Sequence, residues 1–168
     1  MTHKIIFVLG LFAIFFSMGC GDDEEMVTEM VCTDMPASGM INGSPFSFGQ
    51  GIAMGKQDEM VRIQLNNAGD FAEEDDPCFN GSGELAVFGT LPAAEVGRVE
   101  LFLDLGAFEG QTLTMFSRDG FTNITAINGF VEFTSVTESV IEGILDIDDG
   151  LPTPVDRVCG SFTLTRCQ

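Results

Sequence analysis

From Met60 to Asn66 the chain alternates strictly: Val61, Ile63 and Leu65 fall on one side, Arg62, Gln64 and Asn66 on the other. A period of two marks a strand with one face on a core and the other toward water. The alternation returns at 98–105, which places Val99, Leu101, Leu103 and Leu105 inward and Arg98, Glu100 and Asp104 outward. Further short strands are predicted at 84–91, 111–116, 129–136, 140–147 and 158–166, the last two joined by the loop DDGLPTPVD. Residues 38–48 read SGMI-NG-SPFSF, and Asn-Gly between two short runs predicts a two-residue hairpin turn. No window of helical length sustains apolar residues at i, i+3, i+4 and i+7. The expected fold is all-β, an antiparallel β-sandwich or small barrel of about 8–9 strands. The chain has no Trp, which argues against an immunoglobulin domain, whose core usually holds one beside its disulfide.

Residues 5–18 depart from this pattern. They form a run of 14, all apolar apart from Gly10 and Ser17, preceded by Lys4 and followed by Gly19-Cys20. A charged start, an apolar stretch and small residues before a cut make a secretory signal. A transmembrane helix needs about 20 apolar residues, so the run is short for a span. The expected organisation is a signal peptide at 1–19, a lipidated cysteine and acidic flexible tether at 20–36, and a β-rich domain at 37–168. The tether begins GDDEEMVTEM and ends at Pro36, with no useful periodicity.

Composition removes whole classes of chemistry. The only histidine is His3, inside the expected signal, and beyond residue 19 the one lysine is Lys56. Ser-His-Asp and Cys-His catalysis and His-ligated zinc therefore have no imidazole to use. The formal net charge is −19, and losing residues 1–19 takes away Lys4 and no acid, leaving −20. Such a surface repels nucleic acid and anionic headgroups at low salt.

Five cysteines stand at 20, 32, 78, 159 and 167, an odd number for an exported chain. Ser17-Met18-Gly19-Cys20 resembles the lipobox of bacterial lipoproteins, although Ser17 stands where Leu is usual. Acylation of Cys20 would leave an even set of four, and two or more acyl chains anchor a protein stably. Cys159 and Cys167 lie in one predicted strand, about 26 Å apart at 3.3 Å per residue. A disulfide needs Cα atoms about 4.4–6.8 Å apart, which removes that pair and with it Cys32–Cys78. Two connectivities stay open. With no His or nearby Lys to favour a thiolate, these cysteines read as staples.

"SGMINGSPFSFGQGIA", "AEEDDPCFNG" and "VIEGILDIDDGLPTPVDRVCGSFTLTRCQ" together resemble uncharacterised bacterial lipoproteins with a lipobox, an acidic tether and a small β-rich domain ending in a GxFxxxxC strand. The resemblance covers most of the exported chain through short turn-and-strand patterns. It implies fold and location: a lipid-anchored protein of the outer membrane or cell surface, or alternatively one facing the periplasm. It also implies pairing of the mid-chain Cys78 with Cys167, and so of Cys32 with Cys159.

The remaining candidates are acidic. Asp146, Asp148 and Asp149 with Gly150 approach a calcium loop with one residue missing, so alternate-position ligands fall out of register. Glu73-Glu74-Asp75-Asp76 is a second acidic cluster, and solvated turns are the expectation for both. Paired carboxylates could run glycoside hydrolysis without histidine, but the chain has neither Trp nor Tyr on which sugars usually stack. The expectation is a non-enzymatic accessory or binding module, monomeric and without cofactor, which contacts the bilayer through acylated Cys20 and an unknown protein or small-molecule partner. The alternatives are a carrier or chaperone holding an apolar ligand inside the β-domain and, further behind, a carboxylate-based hydrolase.

Overall fold

The computed structural model describes residues 32, 35–55, 60–70, 78, 83–92 and 95–167. The predicted hairpin is β1 (Ser38–Ile41) and β2 (Ser44–Gly55). Asn42 and Gly43 both take left-handed backbone angles, φ 51° and 73°, as a two-residue type I′ turn requires. β3 (Met60–Asn67), β4 (Leu85–Pro92) and β5 (Gly97–Glu100) follow, then β6 (Phe102–Asp104), β7 (Glu109–Gln111) and β8 (Leu113–Ser117). A 3₁₀ turn at Asp119–Phe121 leads to β9 (Thr122–Ala126), β10 (Asn128–Val136), β11 (Val140–Asp148) and β12 (Arg157–Cys167). Twelve strands exceed the expected number because 98–105 breaks in two and because the short segments β7 and β9 also pair.

Ten strands form one sheet in the order β5-β10-β11-β12-β1-β2-β3-β4-β8-β9. All neighbours in it are antiparallel, and the end of β12 also runs parallel to β2 at Thr165 to Cys167. The sheet is curled into a half-barrel. Its single core draws Ala126 from β9 at one end of the order, and Val131 and Phe133 from β10 at the other. Covalent connection enforces the curl, since only Ile127 separates β9 from β10. A bend of this kind is how a strand crosses from one layer of a β-fold to the next.

β11 and β12, both predicted as strands, alternate in burial, with Ile141, Leu145, Ile147, Val158, Phe162 and Leu164 all buried. Gly143 interrupts that row for a steric reason. It pairs with Phe133 on one side and Phe162 on the other, and the two rings meet edge to face with centroids 6.4 Å apart. A Cβ on Gly143 would lie 2.5 Å from Phe162 Cζ, so the glycine makes room for the aromatic pair.

Two expectations about facing are corrected. Gln64 and Asn66 are buried at 2% and 5% exposure, and Gln64 Nε2 donates to Asn66 Oδ1 at 2.9 Å. Their cross-strand neighbours Ile52 and Ala86 are buried as well, so central strand β3 is covered on both faces here. Leu103 and Leu105, expected inward, are exposed at 44% and 74%. β5 pairs with β10 up to Glu100, and Leu101 N still donates to the Gly129 carbonyl at 2.8 Å. Beyond that only Asn128 of β10 remains before the chain leaves the strand at Ile127. The alternation continues, but in β6 it no longer has a core beneath it.

Two disulfides staple the domain. Cys32 bonds Cys159 with Cα atoms 5.5 Å apart, and Cys78 bonds Cys167 at 5.7 Å, the pairing the resemblance implied. Both end on β12. Met35 and Pro36, expected in the tether, lie with Ala37 against β12: Ala37 N donates to the Ser161 carbonyl and Ser161 N to the Met35 carbonyl, at 2.8 and 2.7 Å.

Candidate functional site

Each acidic candidate of β11 and the following loop is engaged by protein groups. Asp146 takes the Arg157 guanidinium in a fork, Nε to Oδ1 and Nη2 to Oδ2 both at 2.9 Å. Asp148 accepts from Asn128 Nδ2 at 2.9 Å and from Gly150 N at 2.7 Å. Asp149 organises the loop, accepting Leu151 N through Oδ1 at 3.0 Å, and Val155 N and Asp156 N through Oδ2 at 3.3 and 3.4 Å. The spacing that resembled a calcium loop thus makes a turn that folds back on its own carboxylate, an Asx-type arrangement. Among the described residues no group of three or more His, Cys, Asp and Glu side chains is placed to hold a metal ion. Replacing Asp149 with Ala strands three amide donors, and urea unfolding should show a loss of about 1–2 kcal/mol. An unchanged midpoint would mean the loop is held by something else.

Two surface grooves are lined by described residues. One, of about 460 Å³, runs past Ser38, Met40, Pro154, Val155, Arg157 and Cys159, beside the first disulfide. The other, of about 430 Å³, lies by the second disulfide among Gly55, Glu138, Arg166 and Cys167. Among their described residues the first has no carboxylate and the second only Glu138. Carboxylate-based glycoside hydrolysis needs two, about 5–9.5 Å apart across the bond to be cut.

Among the described residues, exposed large apolar side chains gather on the β6–β7 hairpin. Its base is fixed: Leu101 and Leu113 are buried in the core, and Gln111 Nε2 donates to the Thr90 carbonyl at 2.8 Å. Since Leu101 meets Gly129 and Leu113 pairs with Ala126, the hairpin stands over the β9–β10 corner. Asp104 Oδ1 closes the tip by accepting Gly106 N and Ala107 N at 2.8 and 3.1 Å. Phe102, Leu103, Leu105 and Phe108 are all exposed, Phe108 at 94%. Phe108 also has φ 56°, a conformation that costs a bulky side chain on the order of 1 kcal/mol or more. The alternation at 98–105 concealed this surface; the signal for it was the Gly106 and Gly110 that bracket Phe108 in the segment LFLDLGAFEG.

Cys20, Lys56 and the cluster at 73–76 lie outside the described residues. Among those described, no helix is long and apolar enough to cross a membrane. The chain matches no family model, no curated protein and no solved structure.

Proposed function

We propose that this chain is a lipid-anchored, non-enzymatic binding module of the bacterial envelope, held by an acylated Cys20 at the outer membrane or cell surface and meeting its partner through the outside of a closed-packed β-domain. One observation carries the anchor. Cys32, Cys78, Cys159 and Cys167 use one another up in two disulfides, so Cys20 is the odd cysteine of the five. It follows a short apolar run and a small residue, the context in which a thiol is acylated, and precedes an acidic stretch suited to a solvated tether.

The absence of histidine beyond residue 3 and the sparse carboxylates of the two described grooves support recognition over catalysis. The interior is filled by side chains from both ends of the strand order, which favours surface recognition over carriage of an apolar ligand within. Intact mass of the native protein should exceed that of the unmodified exported chain by its acyl groups. Cys20→Ser should lose that mass and move from the membrane to the soluble fraction. A native protein with an unmodified Cys20 thiol, or a serine variant that stays membrane-bound, would overturn the proposal.

A further inference from the structure

The exposed hairpin has a chemistry of its own. Pairing sets Phe102 opposite Gln111, Leu103 opposite Gly110 and Asp104 opposite Glu109. Side chains alternate along a strand, so Phe102, Asp104, Glu109 and Gln111 share one face while Leu103 occupies the other. Two carboxylates directly opposite one another repel. Among the described residues neither Asp104 nor Glu109 enters an ion pair, and from Val99 to Ser117 the sequence contains no Lys or Arg. The apolar tip is therefore bounded by negative charge that forms no ion pair among the described residues.

The backbone is incomplete in a matching way. β6 and β7 form a sheet of two strands, so each has one edge without a partner strand among the described residues. A lone two-stranded hairpin is marginal in water, and a third strand with apolar contacts stabilises it. The base is held by the core and the tip by Asp104, which presents the edges in a fixed pose.

We propose that the β6–β7 hairpin is a docking edge that accepts, as an added strand, an extended partner segment alternating cationic and apolar residues. Main-chain hydrogen bonds to the edge give affinity, and alternation gives specificity: one side meets Asp104 and Glu109 with Lys or Arg, the other covers Leu103 and the tip. Charge selects this occupant. A second copy would bring its own Asp104 and Glu109 against the first, on a chain of net charge −19, and an anionic bilayer would be repelled by the same groups. The inference rests on the binding-module function proposed above, and is independent of the acyl anchor.

The probe is a fluorescein-labelled nine-residue peptide alternating lysine and valine, titrated by anisotropy into the full exported protein in mild detergent. Saturable binding is expected, weakened at least tenfold in L105S/F108S, which leaves the charge unchanged. D104N/E109Q should also weaken it and flatten its salt dependence. L105S/F108S should keep the wild-type unfolding midpoint because both side chains are exposed, and D104N/E109Q because the amide oxygen put in place of Asp104 Oδ1 can still accept from Gly106 N and Ala107 N. A peptide of the same sequence N-methylated at alternate residues keeps charge and apolarity but loses strand pairing, and should not bind. Absent binding, equal binding by L105S/F108S, or equal binding of the methylated peptide would overturn the proposal. Self-association in sedimentation that disappears in L105S/F108S would assign the edge to a second copy instead. Flotation of the Cys20→Ser chain with phosphatidylethanolamine–phosphatidylglycerol vesicles, lost in the same variant, would assign it to the bilayer. The Cys20→Ser chain should bind the peptide like the wild type, so a failed anchor and a failed docking edge give different results.

Discussion

Serine at both Cys32 and Cys159 is expected to lower the unfolding midpoint of the domain by about 10 °C. The bond closes a span of 127 residues, and removing a native disulfide from a small exported domain costs about 2–5 kcal/mol. For a domain of this size each kcal/mol shifts the midpoint by roughly 3–4 °C. The Cys78–Cys167 bond closes 89 residues, and because loop entropy grows only with the logarithm of length, its global effect should be similar. The two losses differ locally. Without the first bond, Met35 to Ala37 are held by their hydrogen bonds to Ser161 and by Phe48 N donating to the Ala37 carbonyl, so amide exchange at Ala37 and Ser161 should rise selectively. Calorimetry of the two double variants measures the first effect and hydrogen exchange the second. A midpoint within a degree or two of wild type would show that the bonds contribute little to stability.

Gly160→Ala is expected to be among the damaging single substitutions that touch no cysteine. Gly160 sits at φ 133°, where a side chain is strained, and a Cβ there would lie 2.6 Å from the Met35 carbonyl oxygen and 2.7 Å from the Ala37 Cα. Both obstacles are backbone, so no rotamer change relieves them. Strain at such a φ costs on the order of 1–3 kcal/mol and overpacking a similar amount, so a total of about 3 kcal/mol is expected. The clash comes from the segment that Cys32 holds down. In the Cys32→Ser/Cys159→Ser background that segment can move away, and Gly160→Ala should cost distinctly less than in the wild type. Equal costs in both backgrounds would mean the backbone angle alone, and not the packed segment, sets the penalty.

The parts of this fold legible in the sequence are those where one strand's own alternation decides its facing. β11 and β12 are the clear cases, and Asn42-Gly43 announced its turn because only a few residues accept two left-handed positions in succession. Two cysteines on one extended strand could not meet, which narrowed the disulfides before any coordinates. What stayed hidden depends on neighbours far away in sequence. Gln64 and Asn66 look solvent-facing until Ile52 and Ala86 are brought alongside them. Leu103 and Leu105 look like core until β10 runs out beside them. β9 was missed because Thr122, Asn123 and Thr125 give it little apolar weight, although Ile124 and Ala126 face inward. The candidate docking edge is an absence of partners, and a linear pattern cannot express that. The proposed anchor, by contrast, rests on the local sequence around Cys20, with only the cysteine parity supplied by the fold.

The landing of Cys32 on β12 also governs how the domain responds to being pulled. In a chain held at Cys20, twelve residues lead to Cys32, a leash of about 40 Å when fully extended. Tension along that leash does not reach β1 as a peeling force. It passes through sulfur into Cys159, on a strand hydrogen-bonded to both of its neighbours. The residues between the two cysteines, 127 apart in sequence, are closed into a covalent ring, so a pull between the anchor and β12 would bypass them. Held at Cys20, the chain would act as a short rope tied into β12, with most of the folded domain carried as a loop beside the line of force.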